Sequence, residues 1–295
     1  GLVTLDLEKA FDMVSHDILL QKMKIYGFSN ESLRWFRDYF SLRKHITIIN
    51  GNGSKANQVF CGVPQGSILG PLLFILYMND LPLVVKHCTV SMFADDTCLY
   101  YASRDPNSLQ CIINEDLGVI HDWLLHNQLM LNAMKCKFMV IGTKCKRKDF
   151  ENINVCIDNC PLERVDQCKY LGVILDTDFS WTPQIERAKS TILRNFFVLR
   201  RARPFIDQRT ALLLYNTMIR SRFDYCSTIW MKPDSGHLKK LQILQNRALR
   251  IVLWVDSRFS RHELYNRLKL DCLNVKVKKD LVILMYRIFS LLKSF

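Results

Sequence analysis

The sequence VSMFADDTCLYY at residues 90–101 decides the fold, because it places two adjacent carboxylates between short apolar segments. Val90–Phe93 and Thr97–Tyr101 are patterned as strands, so the segment predicts a β-hairpin with Asp95 and Asp96 at its turn. Neighbouring carboxylates repel each other unless a cation neutralises them, and Mg²⁺ prefers such oxygen ligands. Taken alone, the pair is more often a solvated turn, so its meaning depends on the rest of the chain.

A further carboxylate follows a predicted strand near the start of the sequence. Asp6 comes directly after the apolar segment Val3–Leu5 and before a helix, where α+β folds place catalytic carboxylates. A lone aspartate in this position is more often a helix cap or a solvated residue, and we interpret the nearby Asp12 and Asp17 in that way. Asp6 therefore needs partners before it can be assigned a function.

A glycine-proline loop lies between these two segments. The loop PQGS at 64–67 precedes an apolar helix predicted at Ile68–Met78, and a plain loop before a core helix is one interpretation. Glycine also lets a backbone approach a ligand closely, and a glutamine amide can bind a base or a sugar. Together, Asp6, this loop and the hairpin carboxylates follow the order of palm-type polymerases. A palm uses carboxylates of adjacent strands to hold two metal ions about 4 Å apart.

The remaining pattern predicts an α+β region up to about residue 178 and an all-α region after it. Within the first region we expect an antiparallel sheet with helices, and from Thr182 onward the periodicity is helical. The predicted helices are Ser15–Tyr26, Glu31–Phe40 and Ser108–Asn127, and the predicted strands include His45–Asn50, Gln58–Cys61, Lys137–Gly142, Asn154–Ile157 and Tyr170–Leu175.

The net charge of +13 is unevenly distributed along the 295 residues. The first 145 residues hold 13 Lys and Arg against 13 Asp and Glu, whereas the remaining 150 hold 28 against 15. The second half is therefore expected to face a polyanion, with a membrane surface as the weaker alternative. A hydrophobic content of 49% excludes a disordered chain, and no apolar run is long enough to cross a membrane. The sequence has no signal peptide, which predicts an intracellular protein that is not secreted.

Eleven cysteines lie mostly singly within apolar segments, which predicts free thiols in a reducing compartment. Cys156, Cys160 and Cys168 form a small cluster, but their spacing matches no common zinc motif and no histidine lies nearby. We therefore expect neither a disulfide framework nor a structural zinc ion.

Five segments, in order, resemble the motifs of non-LTR (LINE-type) retrotransposon reverse transcriptases. They are LDLEKAFDMVSH at 5–16, GVPQGSILGP at 62–71 with Asn79-Asp80, FADDT at 93–97, NQLMLNAMK at 127–135 and YLGV at 170–173. The later segment LQILQNRA at 241–248 is similar to the helical region after the thumb of jockey-like elements. The resemblance covers nearly the whole chain.

This resemblance implies the catalytic residues and the cofactor. Asp6, Asp95 and Asp96 are implied to be the catalytic carboxylates and the ligands of two Mg²⁺ ions, with Mn²⁺ as an alternative metal. Lys135 matches a lysine that acts near the leaving pyrophosphate, and the alternative is that it only stabilises its turn.

The same resemblance implies a nucleotide pocket and a primer grip. Phe11 is implied to be an aromatic steric gate that selects deoxynucleotides, for which core packing is the alternative, and Gln65 and Gly66 are implied to border the dNTP. The implied primer grip consists of Tyr170, Leu171 and Gly172.

A helix predicted at Leu238–Trp254 has one basic and one apolar face at 100° per residue. A solvated face is the usual explanation for such charges, but the basic face contains no anion, which favours contact with phosphate. The predicted nucleic-acid contacts of this region are Arg194, Arg200, Arg201, Arg203, Lys239, Lys240, Arg247 and Arg250.

The resemblance implies a polymerase right hand without fingers, with a palm at 1–178, thumb-like helices at 179–235 and a basic post-thumb region at 236–295. The implied activity is RNA-directed DNA synthesis, with an RNA template, a DNA primer or target and dNTPs as partners, in the nucleus or the cytoplasm. The sequence begins at the first palm motif, so we expect a fragment that is inactive alone. A non-catalytic nucleic-acid-binding remnant and another palm enzyme, such as an intron maturase, are the alternatives.

Overall fold

The computed structural model describes residues 1–41 and 43–292, which form two compact units. The first unit is Gly1–Leu171 with Asp176–Phe179, and the second is Gly172–Leu175 with Ser180–Phe295. Lys and Arg number 18 in the first unit against 20 Asp and Glu, whereas the second unit has 23 against 8. The net charges of the two units are therefore −2 and +15.

A five-stranded sheet runs through the first unit. The elements of this unit are β1 (Leu2–Leu5), α1 (His16–Ile25), α2 (Asn30–Ser41), β2 (Lys44–His45), β3 (Ile48–Ile49), β4 (Asn52–Gly53), β5 (Asn57–Gln58), α3 (Leu69–Met78), α4 (Leu81–Val84), β6 (Thr89–Phe93), β7 (Asp96–Tyr100), α5 (Pro106–His126), β8 (Lys137–Met139), α6 (Lys144–Lys148), β9 (Cys156–Ile157), β10 (Cys160–Pro161), β11 (Glu163–Arg164) and β12 (Gln167–Tyr170). The strand order of the sheet is β11-β8-β1-β7-β6. Neighbouring strands of the sheet are antiparallel, except that the edge strand β11 runs parallel to β8. The predicted antiparallel sheet with helices is therefore present, with one parallel pair.

The sheet and the helices α1, α3 and α5 share one apolar core. Val3 of β1 and Leu99 of β7 are fully buried, as are Met23 of α1, Leu73 of α3 and Ile113 of α5. Val3 lies in the middle of the sheet because β1 pairs with β7 on one side and β8 on the other. This packing fixes the two central strands, which carry the predicted carboxylates at their ends.

The strands predicted around residue 50 are shorter than the sequence pattern suggested. His45–Asn50 is interrupted, because β2 pairs with β5 whereas β3 folds back onto β4. Asn50 and Gly51 have φ angles of 50° and 81°, which make the tight reversal between β3 and β4. The predicted strand Gln58–Cys61 likewise begins earlier and ends at Gln58.

The second unit is helical, as the periodicity from Thr182 predicted. Its elements are β13 (Val173–Asp176, whose last residue belongs to the first unit), α7 (Thr182–Ala202), a 3-10 turn (Arg203–Phe205), α8 (Gln208–Leu214), a π-helical segment (Tyr215–Arg220), α9 (Ser221–Asp224), α10 (Ser227–Trp230), α11 (Gly236–Leu253), α12 (Arg261–Leu268) and α13 (Leu273–Leu292). Ile192 of α7, Tyr215, Leu249 of α11 and Leu264 of α12 are fully buried in one core. The predicted thumb-like and post-thumb segments share that core.

All eleven cysteines are free thiols, as expected from their scattered positions. None of the helices within residues 1–41 and 43–292 combines the length and apolarity required to span a membrane.

Candidate active site

Asp6 and Asp96 lie level with each other on neighbouring strands. The register of the sheet pairs Leu5 of β1 with Thr97 of β7. Asp6 follows Leu5 and Asp96 precedes Thr97. Because the strands are antiparallel, the two aspartates lie side by side at the same end of the paired strands. The burial of Val3, Leu5 and Leu99 holds both strands in this register. Apolar packing below the site thus sets the position of the carboxylates above it.

The third carboxylate is presented by a tight turn. Phe93 pairs with Asp96, which leaves Ala94 and Asp95 as a two-residue connection between β6 and β7. Ala94 has a φ of 54°, in the left-handed region that costs a non-glycine residue about 1–2 kcal/mol. Asp95 and Asp96 are both exposed, so a ligand can approach them from solvent.

The carboxylates interact electrostatically. The pKa of Asp96 is raised, first by its partial desolvation and then by the negative charges of Asp95 and Asp6. Lys169 of β12 opposes this shift with its positive charge. Sequence reasoning did not select Lys169, although it directly precedes the YLGV segment, which was the available signal.

The donor set is chemically suited to a hard divalent cation. Carboxylate oxygens are preferred ligands of Mg²⁺, and a cation would neutralise the charges of Asp95 and Asp6, which add to desolvation in raising the pKa of Asp96. Across residues 1–41 and 43–292, however, no three His, Cys, Asp or Glu side chains are already grouped as ligands of one ion. The structure thus brings the predicted residues to one edge without a formed three-ligand cluster.

The NQLMLNAMK segment is fastened to the backbone around Asp6. The Asn132 amide donates to the Asp6 carbonyl at 2.9 Å, and the Glu8 amide donates to the Met130 carbonyl at 2.8 Å. This pairing brings Lys135 next to Asp6, with 3.6 Å between Nζ and Oδ1. The predicted catalytic lysine therefore lies at the carboxylate edge, and both side chains of this pair remain solvent-accessible.

Phe11 is held by the segment that leads into the PQGS loop. Its ring stacks on Phe74 of α3, with 4.5 Å between ring centroids, and its carbonyl accepts a hydrogen bond from the Val63 amide at 2.8 Å. Core packing and a fixed position near the loop are therefore both properties of this side chain. The two interpretations of Phe11 are compatible rather than exclusive.

Gly62 is required by this arrangement. Its φ is +88°, and a Cβ at this position would lie 2.8 Å from the Asp12 carbonyl oxygen. The Gly62 amide also donates to the Val14 carbonyl at 2.7 Å, while His16 Nε2 lies 2.8 Å from the Gly62 carbonyl. A glycine thus allows the segment before the loop to lie directly against the segment after Asp6.

Gln65 reaches back to the first motif. Its side-chain amide donates to Asp12 Oδ1 at 3.2 Å, and both groups are exposed. Gly66 adopts a φ of +80° in the same loop. We interpreted Asp12 as a capping or surface residue, and the structure adds that it orients the Gln65 carboxamide.

The helix after the loop is anchored by a partly buried ion pair. Lys22 of α1 donates to Asp80 Oδ1 at 2.6 Å and to the Tyr77 carbonyl at 2.7 Å, and its Nζ lies 4.5 Å from the centre of the Trp123 ring. Burial lowers the pKa of Lys22, and the hydrogen bond to Asp80 opposes that effect. These contacts join α1, α3 and α5, and so fix the helix that carries Phe74.

The predicted primer-grip segment begins beside the hairpin. The Tyr170 hydroxyl donates to the Ser91 carbonyl of β6 at 3.4 Å. Desolvation raises the pKa of Tyr170, and the charges of Cys98 and Asp96 add to that effect. Leu171 and Gly172, with φ angles of 44° and 81°, form the two-residue turn that splits the predicted strand Tyr170–Leu175 into β12 and β13.

These features agree with a comparison against known protein families. The family described as "Reverse transcriptase (RNA-dependent DNA polymerase)" matches residues 1–175. The chain belongs to the reverse transcriptase family. The match covers nearly all of the first unit and the segment Gly172–Leu175 of the second, and it includes every motif that carries a predicted catalytic or nucleotide-contacting residue.

Similar reverse transcriptases occur in insect retrotransposons. The chain is 26% identical over 289 residues to "Probable RNA-directed DNA polymerase from transposon X-element" of Drosophila melanogaster, a match that covers 93% of the chain and 30% of the relative. It is 25% identical over 260 residues to "RNA-directed DNA polymerase from mobile element jockey" of Drosophila funebris, covering 85% and 28%. The resemblance to non-LTR, jockey-like elements is therefore confirmed. Among solved structures, telomerase from Candida albicans in complex with telomeric RNA aligns with a TM-score of 0.39 and 12% identity, covering 90% of this chain and 47% of that one.

In the second unit of this reverse transcriptase, the predicted basic residues differ in their availability. Arg203 donates to the carbonyls of Val252 at 3.0 Å and Ile206 at 2.8 Å, and Arg250 donates to the carbonyl of Phe259 at 3.1 Å. Part of each guanidinium group is therefore used by the fold. The remaining predicted contacts are exposed, namely Arg194, Arg200, Arg201, Lys239, Lys240 and Arg247.

A basic pocket of about 420 Å³ includes two arginines that the sequence reasoning missed. Arg187 and Arg194 of α7 line it together with Arg222 of α9, and no carboxylate is among its lining residues. Within the described residues, Arg187 and Arg222 have no side-chain hydrogen bond or ion pair. We name this the arginine pocket. Arg222 comes from a different helix than Arg187 and Arg194, so helical periodicity could not have grouped it with them.

Proposed function

We propose that this chain carries the polymerase centre of a non-LTR retrotransposon reverse transcriptase, which adds deoxynucleotides to a DNA 3′ end on an RNA template. The observation that carries the proposal is the level placement of Asp6 and Asp96 at adjacent strand ends, with Asp95 in the turn beside them. Membership of the family and relatives named as RNA-directed DNA polymerases support it. The chain spans 30% of the X-element relative, so the activity of that whole protein is a proposal for this chain.

Asp6, Asp95 and Asp96 are the residues that would hold two Mg²⁺ ions, with Mn²⁺ as the alternative. When bound, the ions supply activation of a primer hydroxyl and neutralisation of a leaving pyrophosphate. The chain's own contribution is to hold the carboxylates together at the ends of the paired central strands β1 and β7. Lys135 and Lys169 add positive charge at that edge, which favours the approach of a triphosphate.

The nucleotide is expected to lie against Phe11 and the PQGS loop. Phe11 can act as a steric gate because Phe74 supports its ring and Val63 fixes its backbone, so the ring cannot withdraw to admit a ribose 2′-hydroxyl. Gln65 and Gly66 border the same space in this proposal. We further propose that the first unit is the palm and that the second unit contains the thumb and post-thumb helices, which hold the RNA template and the DNA primer or target.

A primer-extension assay with an RNA template, a DNA primer, dNTPs and Mg²⁺ tests the proposal. The 295-residue chain would be assayed alone and joined to further sequence of the jockey relative, of which the match covers 28%. Asp95→Asn should reduce extension by about 10²–10³-fold, because it removes a charge from the centre where phosphate charge develops.

Asp122→Asn is the matched control, because Asp122 is an exposed aspartate of α5 outside the motif segments. It should extend primers as well as the unsubstituted chain does. Extension that is equal in the Asp95 and Asp122 variants would contradict the catalytic assignment. Template and primer binding with no extension in any form would favour the non-catalytic remnant instead.

A further inference from the structure

Two grooves in the second unit meet at the same pair of arginines. The first has a volume of about 680 Å³, and the residues of its lining that bear on its chemistry are Phe197, Arg200, Arg247, Arg250, Ile251 and Trp254. We name it the Trp254 groove. The second has about 540 Å³ and also includes Arg247 and Arg250, together with Lys239 and Arg261. The two grooves therefore share Arg247 and Arg250, and each has a further cation in its lining.

Trp254 is held in an exposed position at the end of α11. Its φ of 57° lies in the left-handed region, and its amide bonds to the Arg250 and Ile251 carbonyls, as is common where a helix ends. Its side chain is 58% exposed. The ring therefore lies at the surface, where a ligand can reach it.

The Trp254 ring has a cation over its face. The Arg203 guanidinium lies 5.5 Å from the ring centre. That guanidinium is fixed by its hydrogen bonds to the Val252 and Ile206 carbonyls, at 3.0 and 2.8 Å. A cation over an aromatic face is attractive, and here it also orients the ring. Arg203, which the sequence suggested as a phosphate contact, thus acts as a brace for Trp254.

The opposite side of the groove supplies a second aromatic ring and charges. Phe197 of α7 is 66% exposed, and α7 packs against α11. Arg200 and Arg247 are exposed and have no acidic partner within the described chain. No carboxylate lines the Trp254 groove. In the adjoining groove the one carboxylate is Asp234, which is already paired with Lys278 at 2.9 Å.

Exposed aromatic rings beside unpaired arginines match the chemistry of an unstacked nucleic-acid strand. Bases stack on aromatic side chains in a sequence-tolerant way, while cations follow the phosphates. In a duplex the base faces are stacked on one another, so they cannot lie on a tryptophan ring. A volume of about 680 Å³ is in the range of pockets that hold small molecules, so it has room for a base.

We propose that the Trp254 groove binds single-stranded RNA or DNA, with one base stacked on Trp254 and neighbouring phosphates on Arg200 and Arg247. The preference for a single strand goes beyond the proposed function, in which the second unit holds the RNA template and the DNA primer or target. Binding can be measured without polymerisation. A failure of the single-strand binding proposal and a failure of the proposed polymerase activity would therefore be seen in different assays.

The test compares affinities of the full chain for fluorescein-labelled 12-nucleotide RNA, DNA of the same sequence and the corresponding duplex, by anisotropy at several salt concentrations. Trp254→Ala should weaken single-strand binding by about 10-fold and leave duplex binding within two-fold, because stacking of one base is lost. Trp254→Phe should restore much of the affinity. Arg200→Gln should lower the salt slope for a single strand by about 0.7.

Trp35→Ala is the matched control, since Trp35 is 55% exposed in the first unit. It should leave the ratio of single-strand to duplex affinity unchanged, and thermal unfolding would verify that each variant is folded. Three results would overturn the proposal: equal single-strand binding by Trp254→Ala, an equal loss of duplex binding in that variant, or Trp254-dependent binding to anionic lipid vesicles without binding to RNA or DNA. A difference between the RNA and DNA arms would identify which strand the groove takes.

Discussion

The two units of this chain use charge in opposite ways. The first unit has a net charge of −2 and places several of its ions in the interior, including Lys22 beside Asp80 and the fully buried Asp116. The second unit has a net charge of +15 and leaves many of its arginines on the surface. Charge in the first unit therefore fixes geometry, whereas charge in the second unit is available to a polyanion. That division suits a protein in which one part positions reacting groups and another holds nucleic acid.

This comparison predicts that interior substitutions in the first unit lower the free energy of unfolding, whereas surface substitutions in the second unit change binding and leave stability unchanged. At Gly62 and at the arginine pocket, a matched variant from the same chain separates the local contact from the residue type.

The largest effect is expected at Gly62. Gly62→Ala must accept both a φ of +88° and a Cβ 2.8 Å from the Asp12 carbonyl oxygen, whereas Gly27→Ala has the same φ with open space around it. Gly27→Ala should lower the free energy of unfolding by about 1–2 kcal/mol, the cost of the left-handed conformation. Gly62→Ala should cost at least about 1–3 kcal/mol more, because backbone atoms must move. Chemical denaturation of both variants measures the difference, and equal losses would show that the segment before the loop is not held against Asp12.

The next effect is expected at Asp116, the buried carboxylate of α5. It accepts hydrogen bonds from the amides of Lys86, His87 and Cys88 at 3.1, 3.0 and 2.6 Å. Burial alone would raise the pKa of Asp116, but these amides lower it below its ordinary value. Asp116→Asn should reduce the free energy of unfolding at pH 7 by about 2–3 kcal/mol, because hydrogen bonds to a charged group are replaced by weaker ones and a donor faces donors.

The lowered pKa also fixes the sign of the pH dependence at Asp116. A carboxylate whose folded pKa is depressed contributes stability above the ordinary pKa of about 3.9, and this contribution is lost as the pH falls through the folded value. The difference between the unsubstituted chain and Asp116→Asn should therefore be constant near neutrality and shrink below about pH 4. Urea unfolding at pH 7, 5 and 3.5 measures it. A difference that grows with acidity would mean that the three amides do not stabilise the charged form.

The sequence predicted the fold class and the motif positions because each depends on local residue types. The hairpin around Asp95 and the apolar helix after the PQGS loop follow from short patterns of apolar residues and turn formers. What these patterns could not supply was register: Asp6 is level with Asp96 only because Leu5 pairs with Thr97, which depends on packing from the whole unit. The pairing of β2 with β5 and of β3 with β4 similarly divides His45–Asn50, whose alternation predicted a single strand.

The roles of the basic residues were harder to predict from the sequence. A helical projection identifies the exposed side of α11, but it does not show which neighbouring carbonyls will take up an arginine. Arg203 and Arg250 are bonded to backbone carbonyls contributed by other parts of the second unit. Arg187 and Arg222 become neighbours only when α7 and α9 pack together. Roles that depend on tertiary contacts were thus invisible in a sequence read one helix at a time.

The smallest effect is expected at the arginine pocket, where the comparison predicts weaker binding without loss of stability. The double variant Arg187→Gln/Arg222→Gln removes two cations that have no acidic partner within the described residues. If each contacts one phosphate of a template–primer duplex, the slope of log K against log salt should fall by about 0.9 per contact, or about 1.8 for the pair. The thermal unfolding midpoint should be unchanged, because exposed unpaired charges contribute little to folding.

Arg34→Gln/Arg37→Gln is the matched double variant, since both arginines are exposed on α2 of the first unit and the change in net charge is identical. If net charge alone governs binding, the two double variants will show the same salt slope, and the arginine pocket will have no special part in holding a duplex. If the salt slope falls only in the Arg187 and Arg222 variant, the arginine pocket itself contacts the duplex. The location of the charge, rather than its amount, then distinguishes the second unit from the first.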